Sequence, residues 1–495
     1  MDLLLSHAFY LADDPDEQEV MRPYPPLGLL YLSAYLKGQG FSVGVFDSTF
    51  STLAAFGERL TRDQPRVVGI SGNLLTRRTV VEMTRMAKDA GAHVVLGGPE
   101  PASYAAEYLE HGADVVVAGE GELTLAELLP RLRGDGPSSL DGVRGIAYRD
   151  TTGAVVRTEP RPQLESLDTL PFPDRDAIDI DAYVRVWRTH HGRGSVSLIT
   201  ARGCPYTCSW CSHGVFGHTH RRRSPANVAA ELEQIVDRYA PDMVWYADDV
   251  FTINHRWLER YAAELARRRL RVPFETITRE DRLNEPVVRT LAEMGCFRLW
   301  IGSESGSQRV LDLMQRDTNA GRVRELVRLL RAHGIESGLF VMLGYDGERI
   351  EDLEATVDHL KAAPPDRFLT TVAYPIKGTP YYDRVADRIV STTSWLDGSD
   401  RRVAVRGRHS RRFYGWATQW MVNEVAWHQE RRRARPDYRR MLKAGVRARL
   451  GRLGMRLTRY EQETGVRSQE TGGRSWLVRR RAGEGGRASP SSGAL

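Results

Sequence analysis

The feature that most constrains the fold is a βα alternation that runs twice along the chain. In residues 1–134, short apolar, β-branched runs at 3–8, 43–46, 67–71, 94–96 and 115–118 are separated by segments of helical spacing at 27–37, 80–89, 104–110 and 123–132. Continuous apolar runs of this kind suit strands buried on both faces of a parallel sheet. Five βα units in series predict an α/β fold with a doubly wound, Rossmann-like sheet. The second series places strands at 196–201, 243–247, 274–278, 297–303, 338–343 and 368–373, with helices at 226–239, 256–269, 285–294, 323–333 and 350–362. A closed barrel needs eight such units, so six predict an incomplete, open barrel.

The expected organisation is a first domain over 1–140, a hairpin and Pro-containing linker over 141–190, the partial barrel over 191–385, a helical region over 386–463 and a disordered basic tail over 464–495. The chain has 495 residues, 41% of them hydrophobic and 27% charged, as expected of an ordinary globular protein. No apolar run reaches the roughly 18–20 residues of a membrane span. The first residues carry neither a basic region nor a long apolar core, so a cytoplasmic location is expected. The net charge of +6 hides an asymmetry: residues 401–495 hold 24 Lys and Arg against 7 Asp and Glu, +17 in all, which leaves −11 for the remainder.

Cys204, Cys208 and Cys211 are three of the four cysteines, and they fall within eight residues. Clustered cysteines without a disulfide framework point to a metal site. They follow directly on the first strand of the second series, where a barrel places its chemistry. Three thiolates can bind three irons of a cubane and leave the fourth iron open. The alternative is a structural zinc site with His213 as fourth ligand. Cys296, at a helix-to-strand junction, reads as a small buried residue, and with one spare cysteine no second cubane can be built from cysteine ligands.

The Cys-x3-Cys-x2-Cys loop opening a six-strand βα series resembles the signature of the radical S-adenosylmethionine (SAM) superfamily. The resemblance implies that SAM chelates the open iron of a [4Fe–4S] cluster and is cleaved to a 5′-deoxyadenosyl radical. It also implies roles for further residues. Trp210 stands at the position beside the adenine. Asp248 and Asp249, ending the second strand, stand where the ammonium is bound. Thr278 and Arg279 end the third strand, near ribose and carboxylate. Ser303 and Glu304 resemble the ribose-contacting motif. Gly344 closes the fifth-strand glycine motif, with Glu348 just after it. Tyr374, at the end of the sixth strand, is a candidate catalytic residue facing the substrate, and Tyr381 is a second substrate-facing candidate.

The resemblance extends over roughly residues 1–385. Segment 24–36, together with Ser71-Gly72-Asn73, Gly97-Gly98 and Gly119-Glu120-Gly121, looks like the cobalamin-binding domain fused to one radical SAM class, which includes methyltransferases and the anaerobic magnesium-protoporphyrin monomethyl ester cyclase. Glycines after strands let the backbone approach a large flat ligand. The D-x-H-x-x-G signature is absent, so no histidine is expected as lower ligand of the cobalt. The function implied is cobalamin-dependent methyl transfer to an unactivated carbon, or phosphorus, of a small-molecule substrate. The electron donor would be a flavodoxin or ferredoxin. A non-methylating radical reaction is the second reading, and a zinc-stabilised binding module the third.

His213, His218 and His220, followed by Arg221, Arg222 and Arg223, could meet a phosphate-bearing substrate or simply be solvated. No nucleic-acid partner is expected. Near the C-terminus, Leu442, Val446, Leu450, Leu453 and Leu457 recur at helical spacing among arginines. Two outcomes are open: a weak contact with an anionic membrane, or a stripe packed on the barrel with its arginines solvated.

Overall fold

A computed structural model of the chain describes residues 1–134, 139–390 and 394–461. The first sheet contains β1 (Leu3–His7), β2 (Val43–Phe46), β3 (Val67–Ser71), β4 (His93–Gly97) and β5 (Val115–Val117), all parallel in the order β2-β1-β3-β4-β5. Alternate residues feed the two helix layers, as the period of a strand requires. Leu3, Leu5 and Val67 join Leu30 and Leu128 on one face. Leu4, Val68 and Ile70 join Phe56, Val80 and Met83 on the other. Each fully buried side chain of this kind contributes about 1.5–3 kcal/mol.

The hairpin, β6 (Ile146–Arg149) and β7 (Val155–Arg157), was set apart from the first domain by the sequence reading. Its hydrogen bonds correct this: β6 pairs antiparallel with β5 and makes the sheet seven-stranded. β5 is only three residues long, and the hairpin covers an edge that would otherwise be left unpaired.

The second sheet is all parallel, with its six strands side by side in chain order. It is built from β8 (Ser195–Leu198), β11 (Met243–Tyr246), β12 (Phe274–Thr278), β13 (Cys296–Glu304), β14 (Glu336–Leu343) and β15 (Arg367–Val372). Between β8 and β11, a two-residue ribbon joins β9 (Ala201–Arg202) to β10 (Arg221–Arg222), antiparallel. β8 and β15 each have one neighbour in this sheet, so the barrel is partial and open. Beyond it, β16 (Ile389–Val390) pairs with β17 (Ala404–Val405), and the helices Arg411–Arg431 and Tyr438–Leu457 pack on each other. No helix among the described residues is long and apolar enough to cross a membrane. The tail expected to be disordered, 464–495, lies outside the described residues.

Candidate active site at the domain interface

The carboxyl ends of the two sheets face each other across one cavity of about 720 Å³. Ser71, Gly97, Gly98, Gly119, Glu120 and Gly121 line it from the first domain. Cys204, Cys208, Trp210, Cys211, Asp249, Thr278, Arg279 and Glu304 line it from the second.

The cysteine loop is tied at its base by the β9–β10 ribbon. Gly203 sits there at φ +84°, and a Cβ would meet Thr219 O at 2.3 Å, so only glycine fits. Further along, the Ser209 amide donates to Met314 O at 3.1 Å and the Tyr381 amide donates to Ser209 O at 2.8 Å. Cys208 is buried, Cys204 half-buried and Cys211 exposed to the cavity. Arg279 Nη1 donates to Cys208 Sγ at 3.5 Å and Arg316 Nη1 does so at 3.7 Å. Burial raises the thiols of Cys204 and Cys211, the latter to about 12. Bare thiolates are therefore disfavoured here, and ligation by metal offsets that cost.

Among the described residues, no group of three His, Cys, Asp or Glu side chains could hold a single metal ion. His213 lines the cavity, but its Nδ1 faces the Cys211 carbonyl oxygen at 3.2 Å and its ring lies tilted against His218, centroids 4.0 Å apart. This donor set fits a cubane, which takes one thiolate per iron, better than a closed zinc site.

The two expected carboxylates divide. Asp248 accepts from Thr200 N at 2.7 Å, from Thr200 Oγ1 and from Ala201 N at 3.1 Å, and pairs with Arg222 at 3.1 Å. It anchors the entry to the cysteine loop and does not line the cavity. Asp249 does, and its pKa is raised by burial and then by the Asp248 charge. Glu304 is raised by burial against the pull of Arg316. It sits at φ +57°, where the β13–β14 register shifts. A non-glycine residue held there stores about 1–3 kcal/mol of strain. Two carboxylates facing the cavity have the chemistry to accept a cation such as an ammonium.

Several expected residues are placed elsewhere. Ser303 is buried against His359 Nε2 at 3.2 Å, away from the cavity. Gly344, at φ +74°, is where Tyr414 packs: a Cβ would meet the Tyr414 ring at 2.7 Å. Gly72 and Asn73 shape the β3 turn. The Gly72 amide donates to Gly97 O at 2.9 Å, and Asn73 Oδ1 accepts from Leu75 N at 2.9 Å. Tyr374 is half-buried outside the cavity lining, and Tyr381 is fully buried beside Tyr345. The three arginines after the loop are not solvated. Arg221 pairs with Glu120 at 2.8 Å, Arg222 with Asp248 and Arg223 with Glu231.

On the other wall, a Cβ at Gly97 would project into open space, and one at Gly98 (φ +100°) would meet Gly72 O at 2.6 Å. The bare backbone at the ends of β4 and β5 is a floor on which a broad ligand can lie, and cobalamin fits it. Glu120 takes up a role that sequence alone does not show. It accepts from Arg202 and Arg221, each at 2.8 Å, and from Leu164 N at 2.9 Å, and so clamps the two domains together. Burial pushes its pKa up, but these arginines hold it below the usual range. Sequence reasoning also missed Arg316, which lies in a connector with no periodic signal, and His7, which ends β1 and lines the cavity. His7 Nε2 binds Asp47 at 2.9 Å and Nδ1 faces Ser48 Oγ at 3.0 Å, so both nitrogens are engaged.

Comparison with known proteins agrees with this division. Residues 198–360 match the radical SAM superfamily and residues 19–129 match the B12 binding domain. An uncharacterized methyltransferase of Pyrococcus horikoshii is 28% identical over 75% of this chain and 81% of its own. The anaerobic magnesium-protoporphyrin IX monomethyl ester cyclase of Rubrivivax gelatinosus is 26% identical over 75% of this chain and 68% of its own. The structure of the radical SAM methyltransferase TsrM from Kitasatospora setae, with cobalamin and a [4Fe–4S] cluster bound, superposes with a TM-score of 0.65 at 21% identity, covering 80% of this chain and 78% of that one. The cluster loop and the glycine floor on the two walls of one cavity thus fall in the two matched domains, and the chain belongs to the radical SAM enzymes that carry an N-terminal B12-binding domain.

Proposed function

We propose that this enzyme transfers a methyl group, with the help of cobalamin, to an unactivated carbon, or phosphorus, of a small molecule. One observation carries the reading: a single cavity joins the cluster loop to the glycine floor of the B12-binding domain. When bound, the cluster with SAM supplies a hydrogen-abstracting radical and cobalamin supplies a transferable methyl group.

The chain's own residues hold and shield. Cys204, Cys208 and Cys211 take the cluster, and Arg279 and Arg316 donate to the Cys208 sulfur. Asp249 and Glu304 receive the positive charge of SAM. Trp210 offers an apolar wall, and the Glu120 clamp keeps the two halves in register. A low-potential donor such as flavodoxin or ferredoxin, in a reducing cytoplasm, suits a thiolate-bound cluster. The cyclase relative supports a second reading, a radical reaction without methyl transfer, on the same cavity.

The test is anaerobic purification from cobalamin-fed cells, with iron and cobalt measured per chain. Incubation with methyl-labelled SAM and a reductant follows. About four irons with near-stoichiometric cobalt, and both S-adenosylhomocysteine and 5′-deoxyadenosine as products, support methyl transfer. Iron and 5′-deoxyadenosine without S-adenosylhomocysteine favour the non-methylating reading. Cys208→Ala should abolish 5′-deoxyadenosine, and its persistence would sink the cluster assignment.

A further inference from the structure

The helix Tyr438–Leu457 turns mostly small residues inward. Ala444 and Ala448 are buried. A Cβ at Gly451 would meet Trp420 N at 2.7 Å, and one at Gly454 would meet the Trp416 ring at 2.2 Å. These small residues let the helix lie close on Arg411–Arg431. Apart from Met441 and the buried Met455, the large apolar residues are therefore left outside. Leu442, Val446, Leu450, Leu453 and Leu457 are between 49% and 75% exposed. At 3.6 residues per turn they form one arc. The stripe does not pack on the barrel, which removes one of the two outcomes open in the sequence.

The surroundings of this arc define its partner. Lys443 and Arg447 border one side, and Arg449 and Arg456 border the other. None of these four makes an ion pair among the described residues, and the helix contains no Asp or Glu. Tyr438 and Tyr460, 71% and 87% exposed, stand at its two ends. Arg452 reaches Glu354 on a barrel helix.

We propose that this helix seats the enzyme on an anionic lipid surface. The aliphatic arc would sink to the headgroup–acyl boundary, the basic rows would meet lipid phosphates and the tyrosines would lie at the interface. Cations near such a surface add an attraction that weakens as salt rises. A second copy would bring the same basic rows together. Residues 462–495 hold six arginines against three glutamates and match the face no better in charge. Nucleic acid would leave the five aliphatic side chains in water.

The experiment is co-sedimentation of the full-length protein with phosphatidylglycerol–phosphatidylcholine vesicles and with phosphatidylcholine alone. Wild type should sediment with the anionic vesicles only, less so as salt rises. Leu450→Ser with Leu453→Ser, which leaves the charge untouched, should weaken binding by more than about tenfold. Circular dichroism and 5′-deoxyadenosine formation check that this variant is folded. If it is not, Val446→Ser on the same arc is read instead, with loss of binding again expected. No binding by wild type, or undiminished binding by the serine variants, overturns the proposal. So does a wild-type dimer that the serine variants dissolve.

Discussion

Arg316 Nη1 lies 3.7 Å from Cys208 Sγ, and the same side chain donates through Nη2 to Gly302 O at 2.6 Å. One guanidinium thus links a cluster cysteine to the bulged end of β13, and a Cβ at Gly302 would meet Arg316 Nη2 at 2.6 Å. Hydrogen bonds and positive charge near a ligand sulfur stabilise the reduced cluster and raise its potential. Arg316→Gln is therefore expected to move the midpoint potential of the reconstituted cluster to more negative values, with iron content unchanged. Redox titration followed by electron paramagnetic resonance reads this directly. An unchanged potential would show that the guanidinium is not coupled to the cluster.

Asp248 and Asp249 are adjacent in sequence and separate in role. Asp248→Asn removes the charge opposite buried Arg222 and loosens the loop entry, so it should cost about 3 kcal/mol of stability and lower iron incorporation. Asp249→Asn leaves the loop anchored. It should keep full iron content and weaken SAM binding by about 10- to 100-fold, the worth of one hydrogen bond to a charged group. Iron analysis and equilibrium dialysis against SAM separate the two. Equal effects of both substitutions on iron would refute the division.

The architecture was legible because parallel strands buried on both faces leave long β-branched runs, and both series of these runs became sheets. The hairpin was legible as a hairpin but not as part of the first sheet, since strand pairing is a long-range choice that local pattern does not contain. At the site, the cysteines and the glycines at strand ends declared themselves by spacing. The carboxylates did not. Nothing in the pair Asp248-Asp249 says which one turns back to the Thr200 amide. Arg316 was invisible for the same reason, since its importance lies in what the fold brings to it. Ser303 and Gly344 fell where motif position was expected to mean cavity, whereas here the pleat turns Ser303 inward and Tyr414 packs on Gly344. In the last helix, Gly451 and Gly454 are the contact surface itself, which the apolar spacing does not reveal.

His359 gives a pH dependence with a definite sign. It is fully buried, Ser303 Oγ faces its Nε2 at 3.2 Å and its Nδ1 has no partner among the described residues. Burial, with Arg324 adding to it, lowers its pKa from 6.5 to about 4. The folded state thus stays unprotonated where the unfolded chain takes up a proton. Stability from this group is complete above pH 6.5 and is lost as pH falls toward 4. At pH 5 the loss amounts to about 2 kcal/mol. His359→Gln has no such proton to exclude. Whatever the substitution costs at pH 7.5, wild type should lose about 2 kcal/mol more than the variant on going to pH 5. Anaerobic urea unfolding of both proteins at the two pH values measures this difference. Parallel losses would mean that His359 is protonated in the folded state, with Ser303 accepting from it.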